Sequence, residues 1–293
     1  MDSLTIESYA KVNLGLWVTG KRPDGYHDIE TIMQTVDLKD TIEVSRSPSD
    51  LVITCTDPEV PTDHQNLAYQ AAESLRVRYK ITSGARIHIH KRIPVAAGLA
   101  GGSGNGAATL RALNRLWKIG LSESKLIQFA AELGSDVPFC MTGGTALASG
   151  RGERLEPLEV SCPGIFVLVK PLCQVSSAWA YQNLRIGLTK LDRKVNLVVC
   201  ALQQSDRLKL ANCLQNDLER PVLPAFPIVE QVKHLLTENG AEGVTMSGSG
   251  PTVFGIAQDR TTAEHIACSV TSSDPDLRVF VCAPVSREKI AME

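Results

Sequence analysis

The chain has 293 residues, 43% apolar and 21% charged, which excludes a disordered, collagen-like or coiled-coil protein. Thirty Lys and Arg against 32 Asp and Glu leave a formal charge of -2. There is thus no broad basic field for gripping nucleic acid by its phosphates, although a small phosphorylated ligand needs only local positive groups. No apolar run approaches the roughly 18 residues that span a bilayer. The segment Met1 to Lys11 carries Asp2 and Glu7 and lacks the basic-then-apolar form of a secretory signal. The eight cysteines are scattered, with no C-x-x-C pair and no clustering with histidine. The expectation is a cytoplasmic protein with free thiols, no metal site of its own, and no membrane or nucleic-acid partner.

In chain order, strands are predicted over Ser3–Tyr9, Thr41–Ser45 and Leu51–Thr54, from alternation and β-branched content. Gln65–Arg78 reads as a helix with Leu67, Ala71, Ala72 and Leu75 on one stripe. Arg86–Ile93 alternates again, with Ile87 and Ile89 inward and His88 and His90 on the solvent side. A glycine-rich stretch then runs into a helix over Ala107–Trp117. A further helix, N-capped by Ser122, ends before Gly134. Residues 143–164, rich in Gly, Pro and charge, read as a junction between domains. Beyond it come a buried-type strand over Ile165–Lys170 and helices near Ser177–Leu184, Val195–Gln203 and Ile228–Glu238. Strands over Gly243–Met246 and Thr252–Ile256, a helix over Thr261–Thr271 and a strand over Leu277–Ala283 complete the chain. This mixture is that of an α+β protein.

The most informative run is Pro94-Val95-Ala96-Ala97-Gly98-Leu99-Ala100-Gly101-Gly102-Ser103-Gly104, continuing to Ala108. Small residues between a strand and a helix let the backbone approach a ligand closely, and the first N–H groups of the helix point outward. With the positive end of the helix dipole they make a site for phosphate. The run lacks the G-x-x-x-x-G-K-[ST] pattern of a P-loop. Gly102, Gly104 and Ala107 satisfy G-x-G-x-x-[GA]. However, about eight residues separate them from the strand, and Glu123, near the offset of the ribose-binding acid, begins a helix. Three other features are ambiguous singly. Asp136, in Gly134-Ser135-Asp136-Val137-Pro138-Phe139, could be a helix cap or a cleft carboxylate. Lys11 could be an ordinary solvated strand lysine. Met246-Ser247-Gly248-Ser249-Gly250-Pro251-Thr252 could be a tight connection or a ligand contact.

Taken in order, Ala10-Lys11-Val12-Asn13, the Pro94 to Ala108 loop and Gly243 to Phe254 resemble the three motifs of the GHMP kinases, over nearly the whole chain. Arg22-Pro23-Asp24-Gly25-Tyr26-His27, Asn66-Leu67 and Gly134 to Phe139 make it most similar to the branch whose acceptor is a cytidine diphosphate-linked sugar alcohol. The resemblance implies two domains. Residues 1–160 would resemble the second domain of ribosomal protein S5, and residues 161–293 would form a ferredoxin-like sandwich. It implies ATP as co-substrate, Mg²⁺, a small-molecule acceptor, and a monomer or weak homodimer. It assigns Asp136 as general base, Lys11 as its electrostatic partner, residues Pro94 to Gly104 as the ATP phosphate cradle, and Asn66 to the neighbourhood of adenine. Tyr26 would stack on cytosine, His27 would hydrogen-bond it, Tyr181 would close its other face, and Asn13 would lie by the acceptor's phosphates or alcohol.

One departure stands out. Relatives carry a second hydroxyl residue after the loop serine, whereas Gly104 follows Ser103 here, and Gly106 stands where alanine is common. This puts the metal geometry in question. The other readings are a different kinase of the same family, a dinucleotide oxidoreductase, and a nucleotide-binding module without catalysis.

Overall fold

The computed structural model describes residues 2–185 and 195–292. Its first sheet begins with two long strands, β1 (Ser3–Lys21) and β2 (His27–Ser47), paired antiparallel from Ser3↔Ser45 to Lys21↔His27. β3 (Leu51–Cys55), α1 (Leu67–Arg78) and β4 (Gly84–His90) follow, with β4 antiparallel to the distal half of β2 and parallel to β3. Then come α2 (Gly101–Leu116), α3 (Glu123–Leu133), α4 (Val137–Thr142) and a hairpin of β5 (Thr145–Gly150) and β6 (Arg154–Leu158), laid on the proximal half of β2. A core of β1, β2 and β4 residues such as Ile42, Ile87 and Ile89 packs against Ala71, Leu75, Leu110, Leu113 and Phe129 of the helices.

The second half supplies β7 (Ile165–Lys170), α5 (Ser177–Gln182), α6 (Val195–Gln203), α7 (Arg207–Cys213), β8 (Gln215–Asn216), α8 (Glu219–Ala225) and α9 (Pro227–Glu238). It closes with β9 (Glu242–Met246), β10 (Val253–Ala257), α10 (Arg260–Ser273), β11 (Arg278–Cys282) and α11 (Arg287–Met292). The second sheet has the order β11-β7-β10-β9, the antiparallel arrangement expected of a ferredoxin-like sandwich. The two halves are tied together. β8 pairs parallel to β1, and one apolar cluster joins Ala10, Val12 and Leu14 of β1 to Phe166, Leu168 and Phe254 of the second sheet.

Three departures from the predicted elements have physical causes. Residues 143–164 are not simply a junction, since β5 and β6 occupy much of the stretch; Gly150 and Gly152 make its turn, and Pro157 sits on an edge strand that needs no further partner. The helix predicted from Ala107 begins at Gly101. Glycine disfavours a helix by about 1 kcal/mol relative to alanine, but tertiary contact decides here. A Cβ on Gly104 would lie 2.7 Å from Ser8 Oγ, and one on Gly106 would lie 3.2 Å from Leu67 Cβ. The glycines let α2 lie close to β1 and α1.

The strand predicted to reach Ile93 ends at His90. Fully buried Asp40 accepts the N–H groups of Arg92 and Ile93 (2.7 and 2.8 Å) on Oδ1, turning the chain out of the sheet toward the glycine loop. Its other oxygen accepts from Lys91 Nζ (2.9 Å) and Asn105 Nδ2 (2.9 Å). Removing one member of a buried pair leaves an uncompensated charge. Asp40→Ala is therefore expected to destabilise the protein by about 3–5 kcal/mol, read as a lower midpoint in urea denaturation, whereas surface Glu132→Ala changes it little.

Candidate active site

The site is built from the face of β1 that does not enter the core. Period-two alternation sends Ala10, Val12 and Leu14 into the cluster shared by the two sheets and turns Lys11 and Asn13 to the opposite side. Lys11 is not the solvated lysine of an ordinary strand; it is 3% exposed. Its ammonium donates to Asn13 Oδ1 at 2.7 Å and to the Gly98 carbonyl at 3.3 Å, and lies 3.5 Å from Asp136 Oδ2. Asn13 is held in turn by donating to Thr31 Oγ1 at 2.8 Å, whose hydroxyl donates to the Gly15 carbonyl at 2.6 Å.

Asp136 occupies the N-cap position of α4, where Pro138 fits the first turn, yet its side chain accepts no capping hydrogen bond. Its carboxylate, 36% exposed, is thus available to Lys11 and to the open space before it. The capping reading and the cleft reading meet in one residue: the backbone starts the helix and the carboxylate does not.

These groups open on a cleft of about 970 Å³. Residues 94–103, Asn13, Tyr26, His27, Asn66 and Tyr181 line it with Lys11 and Asp136. Gly104, the remaining residue predicted for this site, does not. It is buried, its N–H donates to the Ala100 carbonyl at 2.8 Å, and a side chain there would point at Ser8 and the Tyr9 carbonyl, behind the helix. A side chain at 104 would start out facing β1 rather than the cleft.

Ahead of α2, Ala96, Gly98 and Ala100 all take positive φ (49°, 73° and 57°), coiling the loop so that the N-terminus of α2 faces the cavity. The first N–H groups of that helix have no acceptor within it. The second glycine loop backs the first. Ser247 Oγ donates to the Gly98 carbonyl at 3.0 Å, Lys11 N–H donates to the Leu99 carbonyl at 3.1 Å, and Asn216 Nδ2 donates to the carbonyls of Met246 and Gly248, each at 2.7 Å. The ambiguous 246–252 run is therefore a support for the phosphate-type loop and, through Gly248 and Ser249, a wall of the cleft.

At the other end, the β1–β2 hairpin turns through Gly25 (φ 86°) and presents Tyr26, 55% exposed, at its tip. Asp24 Oδ1 accepts the Tyr26 N–H at 3.1 Å, and Arg22 binds both Asp24 and Asp28. Buried His27 stacks on Tyr181 with ring centroids 5.4 Å apart. Burial, and secondarily Lys21, pushes the His27 imidazole below its ordinary pKa. Burial pushes the Tyr181 phenol up. Asn66 is the N-cap of α1: its Oδ1 accepts the Ala68 N–H at 2.9 Å and its Nδ2 donates to the Pro61 carbonyl at 2.7 Å. That amide is largely occupied in shaping the cleft wall.

Sequence reading missed Lys91, Asn105 and Arg151, all of which line the cleft. Lys91 and Asn105 reach it through Asp40, 51 and 65 residues away in sequence. No local pattern signals such a contact. Among the described residues there is no cluster of three or more His, Cys, Asp or Glu able to hold a metal, all eight cysteines are free, and no helix is long and apolar enough to cross a membrane.

Two glycines of one loop separate shape from function. A Cβ on Gly98, at positive φ, would meet the Ser247 carbonyl at 2.2 Å, whereas one on Gly102 would meet nothing within 4 Å. Gly98→Ala is expected to destabilise by more than about 1 kcal/mol, and Gly102→Ala to leave the thermal midpoint unchanged or slightly higher.

Comparison with known proteins places this geometry. The family model "GHMP kinases N terminal domain" matches residues 66–144, and "GHMP kinases C terminal" matches residues 199–276. The chain is 44% identical over 288 residues to the 4-diphosphocytidyl-2-C-methyl-D-erythritol kinase of Gloeobacter violaceus, covering 96% of this chain and 94% of that one. It is 48% identical over 292 residues to the enzyme of the same name from a Synechococcus species, with the same coverage. A crystal structure of 4-(cytidine 5'-diphospho)-2C-methyl-D-erythritol kinase superposes with a TM-score of 0.79 at 32% identity, over 96% of this chain and 99% of the other. A homoserine kinase from Cytophaga hutchinsonii shares the fold, with a TM-score of 0.80 at 21% identity, over 98% and 96% of the two chains. The chain therefore belongs to the GHMP kinases, within the family of 4-diphosphocytidyl-2-C-methyl-D-erythritol kinases.

Proposed function

We propose that the chain transfers the γ-phosphoryl group of ATP to the 2-hydroxyl of 4-diphosphocytidyl-2-C-methyl-D-erythritol, in non-mevalonate synthesis of isoprenoid precursors in the cytoplasm. The observation that carries this reading is the 3.5 Å approach of Lys11 to Asp136 beside a glycine loop that opens on the same cleft. Phosphoryl transfer asks little covalent chemistry of a protein; it needs alignment, neutralisation of charge, and a group to take the hydroxyl proton. Asp136 accepts that proton as the acceptor oxygen bonds to phosphorus and the bond to ADP breaks. Lys11 offsets the charge on the transferring group, and the backbone N–H groups of residues 101–103 cradle the phosphates. Tyr26, His27 and Tyr181 take the cytosine, Asn13 orients the acceptor, and Asn66 shapes the adenine end.

The described residues form no carboxylate cage, which suits Mg²⁺, an ion bound chiefly through phosphates and water with one or two protein oxygens. Ser103, at the start of α2 on the cleft wall, is the side chain that would hold it, and when bound it would neutralise phosphate charge. The chain is read as two domains meeting near residues 160 and 161, acting as a monomer or weak homodimer on small molecules alone.

Asp136→Asn keeps the size and position of the side chain but cannot accept the proton. It is expected to bind ATP normally and to lower kcat by about 10²–10⁴-fold, measured by substrate-dependent ADP release; near-normal turnover would contradict the assignment. Gly102→Ala is expected to raise the KM for ATP without thermal destabilisation. Burial, and secondarily Lys21, holds the His27 imidazole below its ordinary pKa, which favours its neutral form. The KM for the acceptor should then rise on acidification as the imidazole protonates, at lower pH than for an ordinary histidine, and His27→Gln should abolish that rise.

A further inference from the structure

Besides His27, three basic side chains among the described residues line the cleft: Lys11, Lys91 and Arg151. Lys11 is engaged by Asn13, Gly98 and Asp136, and Lys91 by Asp40 and the Ile93 carbonyl. Arg151 differs. Among the described residues its guanidinium makes no ion pair or hydrogen bond; it lies over the Tyr26 ring, 5.0 Å from the centroid. Asp24, the acid within its field, is already bound by Arg22 and by the Tyr26 N–H.

The fold brings Arg151 to this place by register. β5 runs antiparallel to β2 with Gly150 opposite Ile29, so the β5–β6 turn emerges beside the hairpin that carries Tyr26. Glu153 Oε2 accepts the Arg151 N–H at 2.6 Å, and the Gly152 N–H donates to the Ser149 carbonyl at 3.1 Å. Gly150 is at positive φ (71°), and a Cβ there would press on the Glu153 carboxylate at 3.0 Å. The turn is thus folded onto itself through its backbone, and the guanidinium is left for the cleft. A guanidinium over an aromatic ring uses its flat face and keeps its in-plane N–H groups for a bidentate anion.

We propose that Arg151 is a specificity-determining residue of the acceptor subsite, binding the diphosphate of a pyrimidine nucleoside diphosphate-linked substrate from its seat on Tyr26. This rests on the reading of the acceptor given above. It accounts for a half-buried cation with no carboxylate partner among the described residues, at the end of the cleft that carries the aromatic groups.

The test is direct binding of CDP and of cytidine, by calorimetry, to the full chain with its ATP site filled by a non-hydrolysable analogue. In Arg151→Met the Kd for CDP is expected to rise on the order of tenfold, the weight of one hydrogen-bonded charge, while that for cytidine changes less than about twofold. Arg151→Lys recovers part of the CDP affinity. Unchanged CDP binding in Arg151→Met overturns the proposal. So does an equal loss for CDP and cytidine, which would make Arg151 a brace for Tyr26 alone. If Arg151→Met fails to fold, salt dependence in the wild-type chain decides: added salt should weaken CDP and spare cytidine, and parallel behaviour of the two overturns the proposal. Wild-type protein that binds CDP but does not turn over the diphosphocytidyl acceptor would sink the proposed function and leave this subsite standing.

Discussion

The buried ammonium of Lys11 is the constraint around which the cleft is arranged. Removing an ammonium from water carries a penalty of several kcal/mol unless it is paired and hydrogen-bonded. Its partners come from three separate places: Asn13 from its own strand, the Gly98 carbonyl from the glycine loop, and Asp136 from the start of α4. Satisfying one cation therefore fixes the mutual placement of β1, the loop and the carboxylate. The same contact that stabilises the fold sets a carboxylate next to the phosphate-type cradle.

Around that contact, the structure relies on close backbone approach rather than on large side chains. Gly98 lies against the second glycine loop, Gly248 sits where a Cβ would come within 3.3 Å of both Asn13 Oδ1 and Lys11 Nζ, and Gly104 and Gly106 seat α2 on β1 and α1. Behind the loop, Asp40 joins β2, the exit of β4 and Asn105 of α2 in one buried network. Buried hydrogen bonds back the loop, and its front opens on the cleft.

Much of this was legible in the residues. The glycine loop stood out by its composition and place, Lys11, Asn13 and Asp136 through the resemblance to the family's motifs, and the second half's strands and longer helices fell near their predicted places. What was not legible depended on contacts distant in sequence. Lys11 reads as solvated until the two glycine loops and the start of α4 close over it, and Gly101–Gly106 reads as loop until β1 and α1 supply the surfaces that need glycine. The β5–β6 hairpin was hidden by its own turn residues, Gly150 and Gly152, and with it Arg151. Asp40 and Lys91 gave no signal because a buried ion pair spanning 51 residues has no local pattern. Gly104 shows the converse: at this departure from the family motif, a side chain would press on Ser8 of β1.

The central claim is that the Lys11–Asp136 pair serves transfer to an alcohol carried on cytidine diphosphate. The most direct measurement is ADP release from ATP by the purified chain with 4-diphosphocytidyl-2-C-methyl-D-erythritol, run beside mevalonate and homoserine at equal concentration. Stoichiometric release with the first and background release with the other two is the result expected. Preference for mevalonate or homoserine, or ADP release independent of any of the three, would contradict it.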